Sequence, residues 1–366
     1  MTQKSTFDRI LTDAVSSKST AASFFGVTNA EGPLYIHTVG TKLVDDPASE
    51  PIDEDTVFWL CSQTKLITTI AALQLIEQGK ITLDTPVETV LPELANPVVV
   101  TAHDEAGRPV TTMPAKGKIT FGQLLNHTSG LDYGIDGTTP MTGATRGMPL
   151  AYSYGYKDGE GVSKFCEILK GSLPGIPLRF EPGTNFAYGF SSDCAGFVVE
   201  RLSGKSLEQY FKDHIFAPPR YYVCIFLPLA AIEGPAPAPV IPHREWDLGS
   251  TPNAILSSDS VDSIVAPTLP TTGVDTLTVI VNMTAPYLGL PAGAAQFGRG
   301  LLVNSVDIPG KRRKGSGAWG GWASTSFFVD FATGVAAVFA TQLIPTGDDT
   351  HERLYDELER ALYVGL

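Results

Sequence analysis

The order of apolar and polar positions predicts helices at both ends of the chain, with strands just inside them. The spacing over 7–19 predicts an amphipathic helix, because its apolar residues recur every three or four positions. Residues 23–44 predict a hairpin, since two strand-like runs flank a cluster of turn residues at 29–33. A strongly apolar helix is predicted over 62–79, and a last amphipathic helix over 351–366.

The later part of the chain is rich in β-branched residues and predicts strands. The runs with this pattern, separated by glycine-containing turns, are 276–283, 297–306, 324–331 and 334–343. Together with the early hairpin, late strands predict an α+β fold with one antiparallel sheet built from both ends of the chain. We expect the terminal helices to cover one face of that sheet.

The middle of the chain predicts helices and loops. The expected elements are short helices within 119–131, 161–172 and 254–267, a helical stretch over 192–216 broken at Gly204, and surface loop over 132–161. We therefore expect a discontinuous sheet domain (1–95 with 255–366) and a helical, loop-rich domain (96–254). A cleft between the two is where a site is expected.

Composition and charge narrow the class of protein. The 366 residues carry a formal net charge of -13, so the surface repels phosphate backbones and anionic membranes. We expect no nucleic-acid or membrane partner. The N-terminal residues lack a signal segment and the four cysteines are scattered, which favours a cytoplasmic protein with reduced thiols. No metal-ligand spacing is present, and we expect no metal and no other cofactor.

Candidate chemistry begins at the start of the apolar helix, in the stretch Cys61-Ser62-Gln63-Thr64-Lys65. Residues three apart on a helix share a face, so Lys65 can reach the Ser62 hydroxyl and act as its base. Burial and the positive helix end are expected to lower the pKa of Lys65, and the backbone N–H of Ser62 can face an oxyanion. Taken alone, the tetrapeptide Ser62-Gln63-Thr64-Lys65 is more often a helix-capping serine with a solvated lysine.

Two later segments add candidates. Tyr188 lies between a Pro-Gly turn and a helix, where a phenol near a lysine can shuttle protons. Trp319-Gly320-Gly321-Trp322 precedes a strand, and its glycines allow a ligand close to the backbone. A second oxyanion donor is expected there. The alternatives are a packed tyrosine and an ordinary hairpin or bulge.

These three elements together resemble the serine β-lactamase and penicillin-binding-protein superfamily. The branch that fits best is the class C β-lactamase-like esterases and transesterases, and within it the fungal lovastatin-type acyltransferases. Three motifs carry the resemblance: Ser62-Gln63-Thr64-Lys65, Tyr188-Gly189-Phe190 and Trp319-Gly320-Gly321. Segments such as LLNHTSGL (124–131) are also similar, and the likeness covers about 5–215 and 253–366.

The resemblance implies a β-lactamase/transpeptidase-like fold and assigns roles by position. Ser62 is the expected nucleophile, Lys65 its general base, and Tyr188 the group that activates the incoming alcohol or water. The N–H groups of Ser62 and Trp322 are expected to form the oxyanion hole. His127 is expected to be structural. The residues expected to contact substrate or to form an apolar wall are Trp319, Gly320, Gly321, Trp322, Phe190, Tyr133 and Tyr154.

Two departures from the family bear on function. Phe190 and Trp319 stand where the β-lactamases carry the Asn and Lys that hold the antibiotic, which argues for ester or thioester chemistry instead. Residues 217–250 are short, rich in Pro and Ala and unlike the family. They are either a lid particular to this lineage or the product of a wrong exon boundary, and a missing pocket wall would leave the site inactive.

The function expected from the sequence is a serine-dependent acyltransferase of secondary metabolism. It takes an acyl group from an ester or thioester donor, free or carrier-bound, and passes it to a small-molecule alcohol through an acyl-enzyme on Ser62. Two alternatives remain. One is a carboxylesterase that uses the same residues. The other is a non-catalytic binding protein whose cleft is occluded by 217–250.

Overall fold

The fold is taken from a computed structural model of the chain. The structure describes residues 3–43, 46, 48–135, 149–157, 159–216, 254–344 and 349–366. Within these ranges, every helix is too short or too polar to cross a membrane. The predicted lid at 217–250 lies outside the described residues, as do 136–148 of the predicted surface loop.

A seven-stranded antiparallel sheet organises the fold. Across both sheets of the described residues, the strands are β1 (Ala22–Asn29), β2 (Gly32–Gly40), β3 (Val98–His103), β4 (Pro109–Pro114), β5 (Pro177–Leu178), β6 (Ala295–Phe297), β7 (Leu302–Asn304), β8 (Gly317–Gly321), β9 (Thr325–Asp330) and β10 (Val335–Ala340). The main sheet runs β2-β1-β10-β9-β8-β7-β6. Because β1 pairs with β10, in a register that sets Phe25 opposite Phe339, the sheet joins both ends of the chain as predicted.

Helices make up the rest of the regular structure. The α-helices are α1 (Gln3–Ser16), α2 (Thr64–Glu77), α3 (Phe121–Leu125), α4 (Leu150–Ser153), α5 (Val162–Lys170), α6 (Ser191–Ser203), α7 (Leu207–Phe211), α8 (Ser258–Val265), α9 (Thr271–Thr284) and α10 (Asp349–Val364). A 3-10 turn, Cys61–Gln63, leads into α2, and a π turn, Lys212–Phe216, follows α7. The predicted break at Gly204 is confirmed, since this residue ends α6 in the left-handed conformation.

The terminal helices cover one face of the sheet, which confirms the prediction from their amphipathic spacing. Phe7 and Leu11 of α1 and Leu358 of α10 are at most 2% exposed and share a core with Phe25 and Phe339 of the sheet. Each of these side chains contributes about 1.5–3 kcal/mol by leaving water. This layer closes the side of the sheet that the terminal helices occupy.

A second core surrounds α2. Ala71 and Leu75 of this helix are fully buried and pack in one cluster with Val198 of α6 and Phe121 of α3. The small side chain of Ala71 allows close helix packing, and the cluster holds the start of α2 in place. This core contains residues from both of the predicted domains. The predicted domain boundaries stay a prediction.

The predicted strand over 276–283 is wrong, since this segment lies in α9. The buried positions of α9 are Gly273, Val274, Leu277, Thr278 and Val281, and this spacing is helical and not alternating. The Thr278 hydroxyl donates to the Val274 carbonyl at 2.8 Å, so a residue with strand preference is accommodated inside a helix. Packing against the core outweighs β-propensity here.

The predicted strand over 297–306 is divided into β6 and β7. A tight turn joins them, and Gly300 there has a φ of +98° that favours glycine. A side chain on Gly300 would also collide with the Thr69 hydroxyl, at 2.5 Å from its first carbon. The pattern therefore located the apolar residues but not the reversal between them.

A smaller sheet was not predicted. β3 pairs with β4 in antiparallel fashion and with the two-residue β5 in parallel. Only the first three residues of β3 are buried, and β4 is largely exposed, so the strands lack a clear alternating pattern.

Candidate active site

Ser62 lies on the 3-10 turn that precedes α2. The residue before it, Cys61, has a φ of +49°, which is uncommon for a residue with a side chain. The lysine one turn later is close: the Nζ atom of Lys65 lies 3.1 Å from Oγ of Ser62. The structure therefore brings together the two residues that the helical spacing singled out, and it does so in the wall of a cavity.

Tyr188 completes a cluster of three functional groups. It precedes α6, and Lys65 Nζ lies 5.0 Å from the centre of its ring. The phenolic oxygen of Tyr188 accepts a hydrogen bond of 3.0 Å from Nε1 of Trp319 on β8. This contact orients the Tyr188 hydroxyl and gives Trp319 a positioning task in addition to its place on the cavity wall.

Strand β8 runs directly past the turn that carries Ser62. A side chain on Gly321 would place its first carbon 2.3 Å from the carbonyl oxygen of Leu60, so only glycine allows this approach. Trp322 follows at once. Burial raises the pKa of the Cys61 thiol, while the backbone N–H groups of Ala323 and Trp322 oppose that rise. Ser62, Gly320, Gly321 and Trp322 line the same cavity.

The electrostatics of Lys65 differ from the expectation. Burial lowers the pKa of Lys65, as predicted, and is the largest single cause. The oxygens of Tyr133, Tyr188 and Asp193 raise that pKa by more, so its net direction is upward and the prediction of a lowered value is wrong. Lys65 therefore rests as an ammonium ion, which cannot accept a proton from the Ser62 hydroxyl.

Two residues of this cluster were not found from the sequence. The Tyr152 hydroxyl lies 2.9 Å from the Tyr133 hydroxyl and within 3.0 Å of both carboxylate oxygens of Asp193. Both Tyr152 and Asp193 line the cavity. A lone tyrosine in a loop and an aspartate in a first helical turn carry no local signal. Only the fold brings them to the lysine.

His127 lies beneath the site, as expected for a structural residue. It is 1% exposed, and its ring centre lies 4.9 Å from that of Tyr188 and 5.5 Å from that of Phe297. Burial, together with the charge of Lys65, lowers the pKa of His127 to about 3. The imidazole is therefore neutral and supports the Tyr188 ring from below.

Two aromatic residues expected at the cavity lie elsewhere. Phe190 is 4% exposed and packs in the α2 core, with its ring centre 4.8 Å from that of Tyr133, so it supports the cavity wall from behind. Tyr154 packs against Tyr156 and does not line the cavity, whereas Tyr156 does. Sequence order alone could not distinguish the two tyrosines, because side-chain direction in a loop depends on tertiary contacts.

The cavity is large and has an aromatic wall. Its volume is about 1120 Å³, above the usual range of about 300–1,000 Å³ for small-molecule sites, because its lining extends from Ser62 to Arg312 and Glu359 behind the sheet. The aromatic side chains that line it include Trp59, Tyr133, Tyr152, Tyr156, Tyr188, Trp319 and Trp322. Such a space accepts an extended apolar ligand next to Ser62.

Comparison with known proteins gives a consistent result. The family model described as Beta-lactamase matches residues 7–361. The chain is similar to the acyltransferase calJ of Penicillium decumbens, with 42% identity over 171 residues that cover 46% of this chain and 38% of the relative. It is 35% identical to the lovastatin esterase of Penicillium rubens over 192 residues, which cover 52% and 45% of the two chains. The chain thus spans less than half the length of these curated relatives.

Solved structures show the same fold. Unliganded simvastatin synthase (LovD) of Aspergillus terreus, as its selenomethionyl derivative, superimposes with a TM-score of 0.75, covering 100% of this chain and 98% of the other at 24% identity. EstCE1, a hydrolase with promiscuous acyltransferase activity, gives a TM-score of 0.68 at 18% identity, covering 99% and 98% of the two chains. At these identities the likeness shows the fold alone.

Proposed function

Because the chain belongs to the β-lactamase family, we propose that it is a serine-dependent acyltransferase that works through an acyl-enzyme on Ser62. The observation that carries this proposal is the 3.1 Å contact between Ser62 Oγ and Lys65 Nζ inside a large aromatic cavity. The names of the relatives, an acyltransferase and an esterase among them, support the same chemistry.

The first half-reaction acylates Ser62. The donor is an ester or a thioester, free or carrier-bound. The bond between Oγ and the acyl carbon forms as the Ser62 proton moves to the Lys65–Tyr188 pair, and the bond to the alkoxide or thiolate leaving group breaks. The pair then returns that proton to the leaving group. Since Lys65 rests as an ammonium ion, the reactive form is the one in which the pair has lost one proton.

The charge that develops on the acyl oxygen needs hydrogen-bond donors. We assign this task to the backbone N–H groups of Ser62 and Trp322, because β8 runs beside the nucleophile turn and both residues line the cavity. Donors fixed in this way do not reorganise during the reaction, and each contributes about 3–4 kcal/mol in comparable sites.

The second half-reaction passes the acyl group to a small-molecule alcohol. Tyr188, held by Trp319, takes the proton from the incoming hydroxyl. The apolar walls built by Tyr133, Trp319 and Trp322 favour a lipophilic acceptor over water. We extend the proposal to secondary metabolism because of the resemblance to the fungal lovastatin-type acyltransferases, and the 34% identity over 209 residues to the monacolin J acid methylbutanoyltransferase of Aspergillus terreus supports it.

Hydrolysis is the second candidate function. The similarity to a lovastatin esterase favours it, and transfer and hydrolysis would use the same residues. The two differ only in which nucleophile reaches the acyl-enzyme. Competition between water and added alcohols therefore separates them, and a non-catalytic binding protein would form no acyl-enzyme at all.

The test is an intact-mass measurement after mixing the protein with acyl thioesters and p-nitrophenyl esters. We expect a mass increase of one acyl group in the wild type and none in Ser62→Ala. Added alcohols should then yield the new ester faster than free acid appears. A folded wild type that gains no mass across the donor panel would contradict the proposal, and so would turnover that persists in Ser62→Ala.

A further inference from the structure

A chain of polar side chains extends from Lys65 along the cavity wall to Asp193. The Tyr152 hydroxyl lies between the Tyr133 hydroxyl, at 2.9 Å, and the two carboxylate oxygens of Asp193, at 3.0 and 2.9 Å. Lys65 Nζ lies 5.9 Å from the centre of the Tyr133 ring. No step described so far uses Tyr152 or Asp193.

The chemistry of the groups determines the direction of these hydrogen bonds. A carboxylate only accepts, so Tyr152 donates its single proton to Asp193. The same hydroxyl is also directed at the Tyr133 oxygen, at 2.9 Å, so Asp193 and Tyr133 compete for its one proton. Burial raises the pKa of both phenols, with Asp193 a further cause at Tyr152, so both keep their protons.

Packing and helix position hold this chain in place. The Tyr152 and Tyr133 rings lie 5.7 Å apart edge to face, and Phe190 supports both from the core. Asp193 is in the first turn of α6, where the helix dipole favours a carboxylate. Tyr152 is 37% exposed, and this surface lines the cavity, so a bound substrate would remove water from the group.

We propose that Asp193 is a positioning residue for acyl transfer, which holds the Lys65–Tyr188 pair in its protonated resting form through Tyr152 and Tyr133. This inference rests on the proposed function of Ser62. Among the described residues no carboxylate lies within salt-bridge distance of Lys65, and Asp193 is the acidic group that acts on it. The negative charge of Asp193 therefore opposes loss of the proton that activates Ser62.

Other groups also surround Lys65 and have to be considered. The titratable side chains that face Lys65 or its neighbours are Cys61, His127, Tyr133, Tyr152, Tyr156, Tyr188 and Asp193. His127 is neutral, and desolvation raises the pKa of Tyr133, Tyr152 and Tyr156 above the ordinary phenol value. Asp193 is the carboxyl group of this set, and burial raises its pKa, while Lys65 and the hydrogen bond from Tyr152 act to lower it.

The sign of the effect follows. A negative charge raises the pH at which the Lys65–Tyr188 pair loses its proton, whichever member loses it. Asp193→Asn keeps the shape and removes the charge, so the acidic limb of the acylation profile should move to lower pH by about one unit. Tyr152→Phe breaks the chain of hydroxyls and should slow acylation at a given protonation state.

The experiment compares wild type, Asp193→Asn and Asp213→Asn in two readouts. Asp213 is a surface carboxylate paired with Lys205, and its replacement makes the same change in net charge away from the cavity. The first readout is the pH profile of Ser62 acylation by p-nitrophenyl butyrate. The second is the NMR titration of the Lys65 side chain, assigned by its loss in Lys65→Arg, and it needs no substrate.

We expect both readouts to shift to lower pH in Asp193→Asn and to stay unchanged in Asp213→Asn. An unchanged Lys65 titration in folded Asp193→Asn would overturn the inference, as would a loss of stability with no shift in either profile. If Tyr152→Phe acylates as fast as wild type, the hydroxyl chain has no positioning role. A shifted Lys65 titration in a protein that never acylates would reject the proposed function and retain the coupling of Asp193 to Lys65.

Discussion

Arg312 is fully buried and Lys65 is half-buried, and the charges of these two basic side chains are paired in opposite ways. Behind the sheet, Arg312 and Glu359 are 3% and 1% exposed and form two parallel hydrogen bonds of 2.8 and 2.7 Å. The Arg312 guanidinium also lies 4.6 Å from the centre of the Phe328 ring. Beside Ser62, Lys65 contacts the serine hydroxyl and the rings of Tyr133 and Tyr188, and among the described residues its hydrogen-bond partner is not a carboxylate.

The two basic groups differ in how completely their positive charge is paired. Glu359 satisfies Arg312 with matched geometry, so the pair has no reason to exchange protons and serves the fold. The contacts of Lys65 are weaker and include a potential nucleophile, so its proton can be transferred when substrate fills the cavity. A buried cation is therefore a functional candidate when its partners can react, and a structural one when its charge is fully paired.

The largest effect is expected from replacing Lys65, whose charge is incompletely paired. Lys65→Met should lower the rate of Ser62 acylation about 10³-fold or more, because the serine loses its proton acceptor. The free energy of unfolding should change much less than in Glu359→Ala, since Lys65 is only partly buried and its closest partner is a hydroxyl group. Acylation kinetics and urea unfolding measure the two quantities. A destabilised Lys65→Met with undiminished acylation would reverse the comparison.

The fully paired Arg312 and Glu359 should show the opposite pattern: their replacement should change stability and leave acylation unchanged. Glu359→Ala leaves the Arg312 charge buried without a partner and should cost about 3–5 kcal/mol of unfolding free energy. Arg312→Met/Glu359→Leu should recover most of that loss, because neither charge remains. Urea unfolding of the single and double variants checks this. Acylation by the folded fraction of each variant is expected to match wild type.

A smaller effect is expected from the contact that orients Tyr188. Trp319→Phe removes the indole donor and keeps an aromatic ring, so it should slow acyl transfer by about tenfold or less, equivalent to a hydrogen bond of about 1 kcal/mol. The alcohol step should suffer more than acylation if Tyr188 activates the acceptor. Equal rates of both steps in Trp319→Phe and wild type would show that the hydrogen bond has no part in positioning Tyr188.

The smallest effect on stability is expected from an exposed ion pair. Glu208 and Lys212 lie one turn apart, at 2.6 Å, with side chains 44% and 57% exposed. Glu208→Gln should change the unfolding free energy by less than about 0.5 kcal/mol, and addition of salt should remove even that. A loss as large as that of Glu359→Ala would mean that burial is not what separates the two kinds of pair.

Much of the fold could be predicted from local patterns. The amphipathic terminal helices, the early hairpin and the break at Gly204 each depend on the residues of one segment, and the structure confirms them. The segment 276–283 was misassigned because β-branched residues have intrinsic strand preference, whereas burial of Leu277 and Val281 on one helical face decided its conformation. The strands β3 and β4 lacked a readable alternation because they are only partly buried, and β5 has only two residues.

The features of the candidate site also divide into those that the sequence determined and those that only the tertiary structure decided. The sequence alone determined that Ser62 and Lys65 lie together, because a three-residue separation at a helix start brings the two side chains to one face. Only the tertiary structure decided that Phe190 supports the wall from behind, that Tyr152 and Asp193 join the cluster, and that the pKa of Lys65 moves upward. Spacing along a helix is a local property, whereas desolvation and charge depend on neighbours that are distant in sequence.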